Sequence, residues 1–110
     1  METYDIIITP DAEVDLDELK DYITYELLAP DTALSYIQEI RAEIAKLEYL
    51  APSIATVPDE PFHSMGIRWI MANNFFVYFW VNKERNTVFI LNVIYKRRDQ
   101  LQALKHLISK

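Results

Sequence analysis

Arg68 stands in the middle of an apolar segment, Gly66-Ile67-Arg68-Trp69-Ile70-Met71. A guanidinium there is costly unless it is exposed or paired. Its planar fork also matches a phosphate bidentately. Arg68 is therefore either an exposed or paired arginine, or a phosphate clamp. Three further cations, Lys96, Arg97 and Arg98, directly follow the last apolar segment. Such a run is either a solvated edge or part of an anion site, since Arg98 and Asp99 open a helix whose free N–H groups favour an anion. If the last two strands are neighbours, these cations and Arg68 could share one concave face. Together they could hold a phosphodiester and stabilise the added charge of a pentavalent transition state. Tyr95 adjoins them and suits base stacking or proton transfer, whereas Tyr78 reads as a packing residue. His63, in the loop before the Arg68 segment, is a candidate acid–base group.

Other chemistries find no support in the sequence. There is no cysteine, hence no disulfide framework and no thiolate nucleophile. Two separated histidines give no metal-ligand spacing. Gly66 is the only glycine, so no glycine-rich phosphate loop exists. Asp11, Asp15 and Glu18 form carboxylate pairs, but acids along a helix flank read as solvation. Neither a metal nor a cofactor is expected.

Charge is unevenly placed. Residues 1–62 carry 15 acids against Lys20, Arg41 and Lys46, a balance of −12. Residues 63–110 carry eight basic residues against Glu84 and Asp99, a balance of +6. The overall −6 thus hides a basic half, which suits an anionic partner, either nucleic acid or an acidic protein segment.

The elements that must position these groups follow from periodicity. Tyr4–Thr9 is β-branched and reads as a strand. Thr9-Pro10-Asp11 then supplies an N-cap, a proline suited to the first helical position and an acid complementing the dipole. Ala12, Leu16, Leu19, Ile23 and Leu27 form one apolar stripe, and Leu34, Ile37, Ile40, Ile44 and Leu47 a second after the break at Ala29-Pro30-Asp31. These predict an αα-hairpin. Residues 51–63, with Pro52, Pro58 and Pro61, read as an ordered loop. Gly66–Ala72, Phe75–Val81 and Thr87–Tyr95 then read as an antiparallel meander, with Asn73-Asn74 as a tight turn. Arg98–Ile108 reads as a short helix. The predicted order is β-α-α-β-β-β-α, an α+β two-layer fold with the helical hairpin packed on an antiparallel sheet. At 110 residues the chain is one domain, 1–110. No apolar run is long enough to span a bilayer. The start lacks a basic n-region and an apolar h-region, so the expectation is a soluble cytoplasmic protein with no membrane partner.

Several of these residues resemble a known family. Thr9-Pro10-Asp11-Ala12-Glu13, Asp15-Leu16, Tyr22-Ile23, and the helix carrying Ala33, Tyr36, Ile37, Ile40 and Leu47 before Pro52 are similar to the opening of the RelE/ParE superfamily of type II toxins. So are Gly66-Ile67-Arg68, Phe76-Val77-Tyr78-Phe79 and Val93-Ile94-Tyr95-Lys96-Arg97-Arg98-Asp99. The resemblance implies the compact RelE fold and a cognate antitoxin as partner. It also implies one of two activities. RelE-like members cleave mRNA in the ribosomal A site without metal, by attack of the substrate 2′-OH. ParE-like members bind DNA gyrase and are not nucleases. The Tyr95–Asp99 ending is closer to the RelE-like members, so the resemblance points first to a ribosome-dependent endoribonuclease. Arg68 and Arg97, with Arg98 as the alternative to Arg97, would hold the scissile phosphate. Lys96 or Tyr95 would sit near the attacking or leaving oxygen, with His63 the nearest imidazole in sequence. The alternative is a gyrase inhibitor, or an inactive relative that only binds its antitoxin. Two features depart from the cleaving members: the tail lacks a Tyr or His-Tyr pair and offers only His106, and the net charge is acidic. The Phe75–Val81 strand and the C-terminal helix would offer the antitoxin edges and grooves.

Overall fold

The computed structural model describes residues 3–72 and 75–95. The Asn73-Asn74 turn, the cations Lys96, Arg97 and Arg98, and the helix expected at Arg98–Ile108 lie outside the described residues, as do the side chains of Ala72 and Tyr95.

Strand β1 (Asp5–Ile8) leads into helix α1 (Pro10–Asp21) through the expected cap: the Ala12 amide donates to Thr9 Oγ1 at 3.3 Å. The Thr9 hydroxyl in turn donates to the carbonyl of Ile90 at 2.7 Å, tying the helix start to the sheet. A π-helical turn, Tyr22–Glu26, extends α1. Leu28, at φ 52°, ends that extension in the left-handed position usually held by glycine. Helix α2 (Pro30–Ala45) follows, then the one-turn α3 (Leu47–Leu50) and a 3₁₀ turn at Ala51–Ser53. Strands β2 (Arg68–Ala72), β3 (Phe75–Asn82) and β4 (Thr87–Tyr95) form the expected antiparallel meander.

The sheet order is β1-β4-β3-β2, with β1 parallel to β4. The sheet is therefore mixed rather than wholly antiparallel. A strand that reaches its neighbour through a helical hairpin returns in the same direction, whereas a tight turn reverses the chain. Strand β3 lies inside the sheet, paired on both sides, so it offers no edge to a partner strand, contrary to the sequence expectation. Among the described strands, the edges are β1 and β2. An isolated bridge between Thr56 and Arg68 covers the start of the β2 edge.

One face carries the main core. Leu16, Ile40, Ile44 and Leu47 from the helices meet Phe75, Val77, Phe79, Val88 and Ile90 from the sheet. Alternation sends Phe76, Tyr78, Leu91 and Ile94 to the other face. There the loop 54–67 folds back and inserts Val57, Phe62 and Ile67, making a second, smaller core. The helical stripes are slightly rotated from expectation. Ala33 is buried where Leu34 was expected, and Leu27 is exposed because the π turn inserts an extra residue before it.

Candidate functional site

Alternation along β2 places Arg68 with Ile70, opposite Phe79 and Val77, on the side the helices cover. The guanidinium does not point into open solvent. Its Nη1 donates to the carbonyl of Ile54 and, at 3.5 Å, to that of Pro52. These are carbonyls at the end of the α2–α3–3₁₀ run, where a helix leaves acceptors unpaired and a cation is favoured. The half-buried arginine thus receives a backbone partner for its Nη1.

His63 sits nearby in the chain path. Its Nδ1 lies 2.9 Å from Thr56 Oγ1 and 3.2 Å from the Val57 carbonyl oxygen. Thr56 is also the backbone bridge partner of Arg68. His63 and Arg68 therefore both bind the segment 52–57. Next to His63, the Ser64 amide and hydroxyl both donate to the Glu60 carboxylate, which holds that group below its ordinary range.

Tyr95 is distant from Arg68. Its backbone pairs with Phe75, which pairs with Ala72, so the end of β4 is level with the end of β2. Two strand spacings and four residues of rise separate Tyr95 from Arg68, about 16 Å between Cα positions. Thr56 links Arg68 and His63, and the sheet register sets the end of β4 apart from Arg68. Tyr78 is the packing residue expected, 1% exposed. Burial, with a smaller contribution from the charge of Asp59, pushes its hydroxyl up to about 12.

The sequence reading missed a role for Asp15. Its Oδ2 accepts from Asn92 Nδ2 and from the Val93 amide, both at 2.9 Å. This contact clamps α1 to β4 just after the irregularity in the β3–β4 register, where the ladder skips Leu91. A β-bulge leaves backbone groups without ladder partners, and the carboxylate supplies one. The available signal was Asn92, a polar residue inside an otherwise apolar strand. Of the other described cations, Arg41 pairs with Glu13 at 3.2 Å between α2 and α1, and Lys46 pairs with Glu43 at 2.8 Å. Lys83 and Arg85 sit exposed in the β3–β4 connection. Among the described residues, no three His, Cys, Asp or Glu groups gather as a metal site, and no helix is long and apolar enough to cross a membrane.

Comparisons with known proteins agree with this fold. The family model described as ParE toxin of type II toxin-antitoxin system, parDE, matches residues 6–100. A comparison with curated proteins found no significant match. Among solved structures, the chromosomal ParDE toxin–antitoxin system of P. aeruginosa superposes with TM-score 0.70 at 26% identity, covering 84% of this chain and 96% of that one. The toxin–antitoxin complex RelBE2 of Mycobacterium tuberculosis gives TM-score 0.59 at 18% identity, covering 84% and 98%. A mutant of the E. coli toxin RelE in the free state gives 0.62 at 12% identity, covering 94% and 97%. The last two similarities are of fold.

Proposed function

The chain belongs to the ParE toxin family of type II toxin–antitoxin systems, and from that premise we propose that it arrests growth by binding DNA gyrase rather than by cutting mRNA. The engagement of Arg68 carries this reading. One arm of the guanidinium, Nη1, already donates to the carbonyls of Ile54 and Pro52, so a phosphate would meet only the remaining Nη2 and Nε donors. Releasing Nη1 would strip those carbonyls of their donor. The ParDE similarity at 26% identity supports the same choice.

An antitoxin is the second partner of this reading. The solved neighbours include toxin–antitoxin complexes, and an antitoxin encoded beside this chain would hold it inactive in the cytoplasm. Co-purification with the product of the adjacent open reading frame, and suppression of growth arrest by it, test that pairing.

The target is tested by inducing the toxin alone. Gyrase inhibition should give DNA breaks with intact mRNA, and the purified protein should inhibit supercoiling by purified gyrase. Codon-phased mRNA cleavage on ribosomes would overturn the proposal. A nuclease reading is favoured by one observation, the Tyr95-Lys96-Arg97-Arg98 ending. In that case Tyr95, Lys96 and Arg97 or Arg98 would act on the phosphate without Arg68, and cleavage would survive chelation but fail on 2′-deoxy substrate.

A further inference from the structure

The tip of the helical hairpin is built against its own stability. Tyr22, Tyr25, Leu27, Leu28 and Leu34 are all exposed there, Tyr25 by 70% and Leu28 by 82%. Isolated surface leucines are ordinary, but this many exposed apolar side chains along one short stretch of chain favour a contact site. Two backbone features coincide with it. The chain passes through a π-helical turn at Tyr22–Glu26, a geometry concentrated at functional sites. It then places Leu28 at φ 52°, a conformation in which a branched side chain is strained and glycine is not. A strained backbone that displays a bulky apolar side chain to water gains nothing from the isolated fold. The surroundings are acidic: Asp17, Asp21, Glu26 and Asp31 are exposed around the tip, and Lys20 is the one base before Arg41. This charge disfavours self-association through the tip and favours a partner of opposite design.

We propose that the hairpin tip is the surface through which this toxin docks on its cellular target, and that the target presents an apolar patch flanked by Lys and Arg. The proposal rests on the gyrase reading for the identity of that target, but not for the location of the surface. Leu28 and Tyr25 fill the apolar patch, and the rim acids fix orientation and speed encounter.

The test compares wild type with the Tyr25→Ser/Leu28→Gly double variant. Glycine relieves the strain at position 28, so the melting temperature should be unchanged or higher. Wild-type capture of purified DNA gyrase should weaken about tenfold or more between roughly 50 and 200 mM salt. At low salt the variant should lose about tenfold or more of that capture, and it should no longer arrest growth. Its co-purification with the antitoxin should be unaffected. The Asp21→Lys/Glu26→Lys variant, which keeps the apolar group, should lose capture and its salt dependence together. Equal capture and equal arrest by wild type and the Tyr25→Ser/Leu28→Gly variant would overturn the proposal. If wild type fails to capture gyrase, the gyrase reading falls and the tip is judged on arrest alone: lost arrest upholds it, retained arrest overturns it. Antitoxin binding lost with arrest would assign the tip to the antitoxin instead. Concentration-dependent self-association that the double variant abolishes would assign it to a second copy. Either result overturns the proposal.

Discussion

Replacing Arg68 by methionine separates the two roles its position allows. Methionine keeps most of the apolar stem and removes the donor. The Nη1 bond to the Ile54 carbonyl is a charged hydrogen bond, with the 3.5 Å contact to Pro52 adding little. A bond of this kind is worth about 1.5–3 kcal/mol, so a loss of about 2 kcal/mol is expected. For a chain of 110 residues that lowers the melting temperature by about 9 °C. Most of a typical domain stability of about 5–15 kcal/mol remains, so the variant should stay folded at 25 °C. There it should still arrest growth and still inhibit gyrase. Thermal melting followed by far-UV circular dichroism, with arrest scored at 25 °C, measures both quantities. A phosphate clamp behaves in the opposite way: function falls on the order of 10²-fold or more while melting barely moves. An unchanged melting temperature with arrest abolished would refute the structural assignment and restore Arg68 to the chemistry. Arg68→Lys, which keeps a donor and a charge, should recover part of the lost stability.

Asp15→Ala should cost about 3 kcal/mol by chemical denaturation, because it leaves the buried Val93 amide and the Asn92 side chain without this acceptor. Asp15→Asn, which can still accept from Val93, should cost less. Thr9→Ala should cost about 1–2 kcal/mol through loss of the cap, with Thr9→Ser nearly neutral. Tyr78, raised from 10.0 to about 12 in the fold, favours the protonated form when folded. Its contribution to stability is therefore complete below about pH 10 and is lost as pH rises toward 12. Ultraviolet titration of wild type against Tyr78→Phe should show this late ionisation, and the variant should lack the alkaline loss of stability between those values.

Local rules were legible where the chain's neighbours decide the outcome. Thr9-Pro10-Asp11 specifies a helix start by chemistry within four residues, and the cap forms as read. The change from a helical period to alternation after residue 65 located all three meander strands. Strand order was less legible, because no local feature says that β1 returns beside β4 or that β3 becomes interior. The long apolar run Phe75–Val81 carries that information indirectly. A strand buried on both faces belongs in the middle of a sheet, and β3 has cores on both sides. The second core was hidden for a different reason. Val57, Phe62 and Ile67 are spaced by five, which matches neither a helix nor a strand, so a loop reading left their burial unread.

The candidate site shows the same limit more sharply. That Arg68 needs a partner follows from its place in an apolar strand, but the partner's identity depends on where a helix ends 14 residues earlier. Phosphate and backbone carbonyl are alternatives that the residue type cannot separate, since phosphate oxygens and carbonyl oxygens both accept from guanidinium. The structure gives Nη1 a carbonyl partner at Ile54, and the Arg68→Met test decides what the remaining guanidinium donors do. Leu28 is the converse case. Its residue type and its neighbours Leu27 and Ala29 suggest nothing unusual, and the Ala29-Pro30 break only says that a helix ends. The information lies in the sign of one backbone angle. A leucine at φ 52° with 82% of its surface in water is unfavourable on both counts. Glycine or asparagine would satisfy the turn without that exposure. The proposed docking contact would give such a residue its role, and the acids around it set the charge its partner should carry.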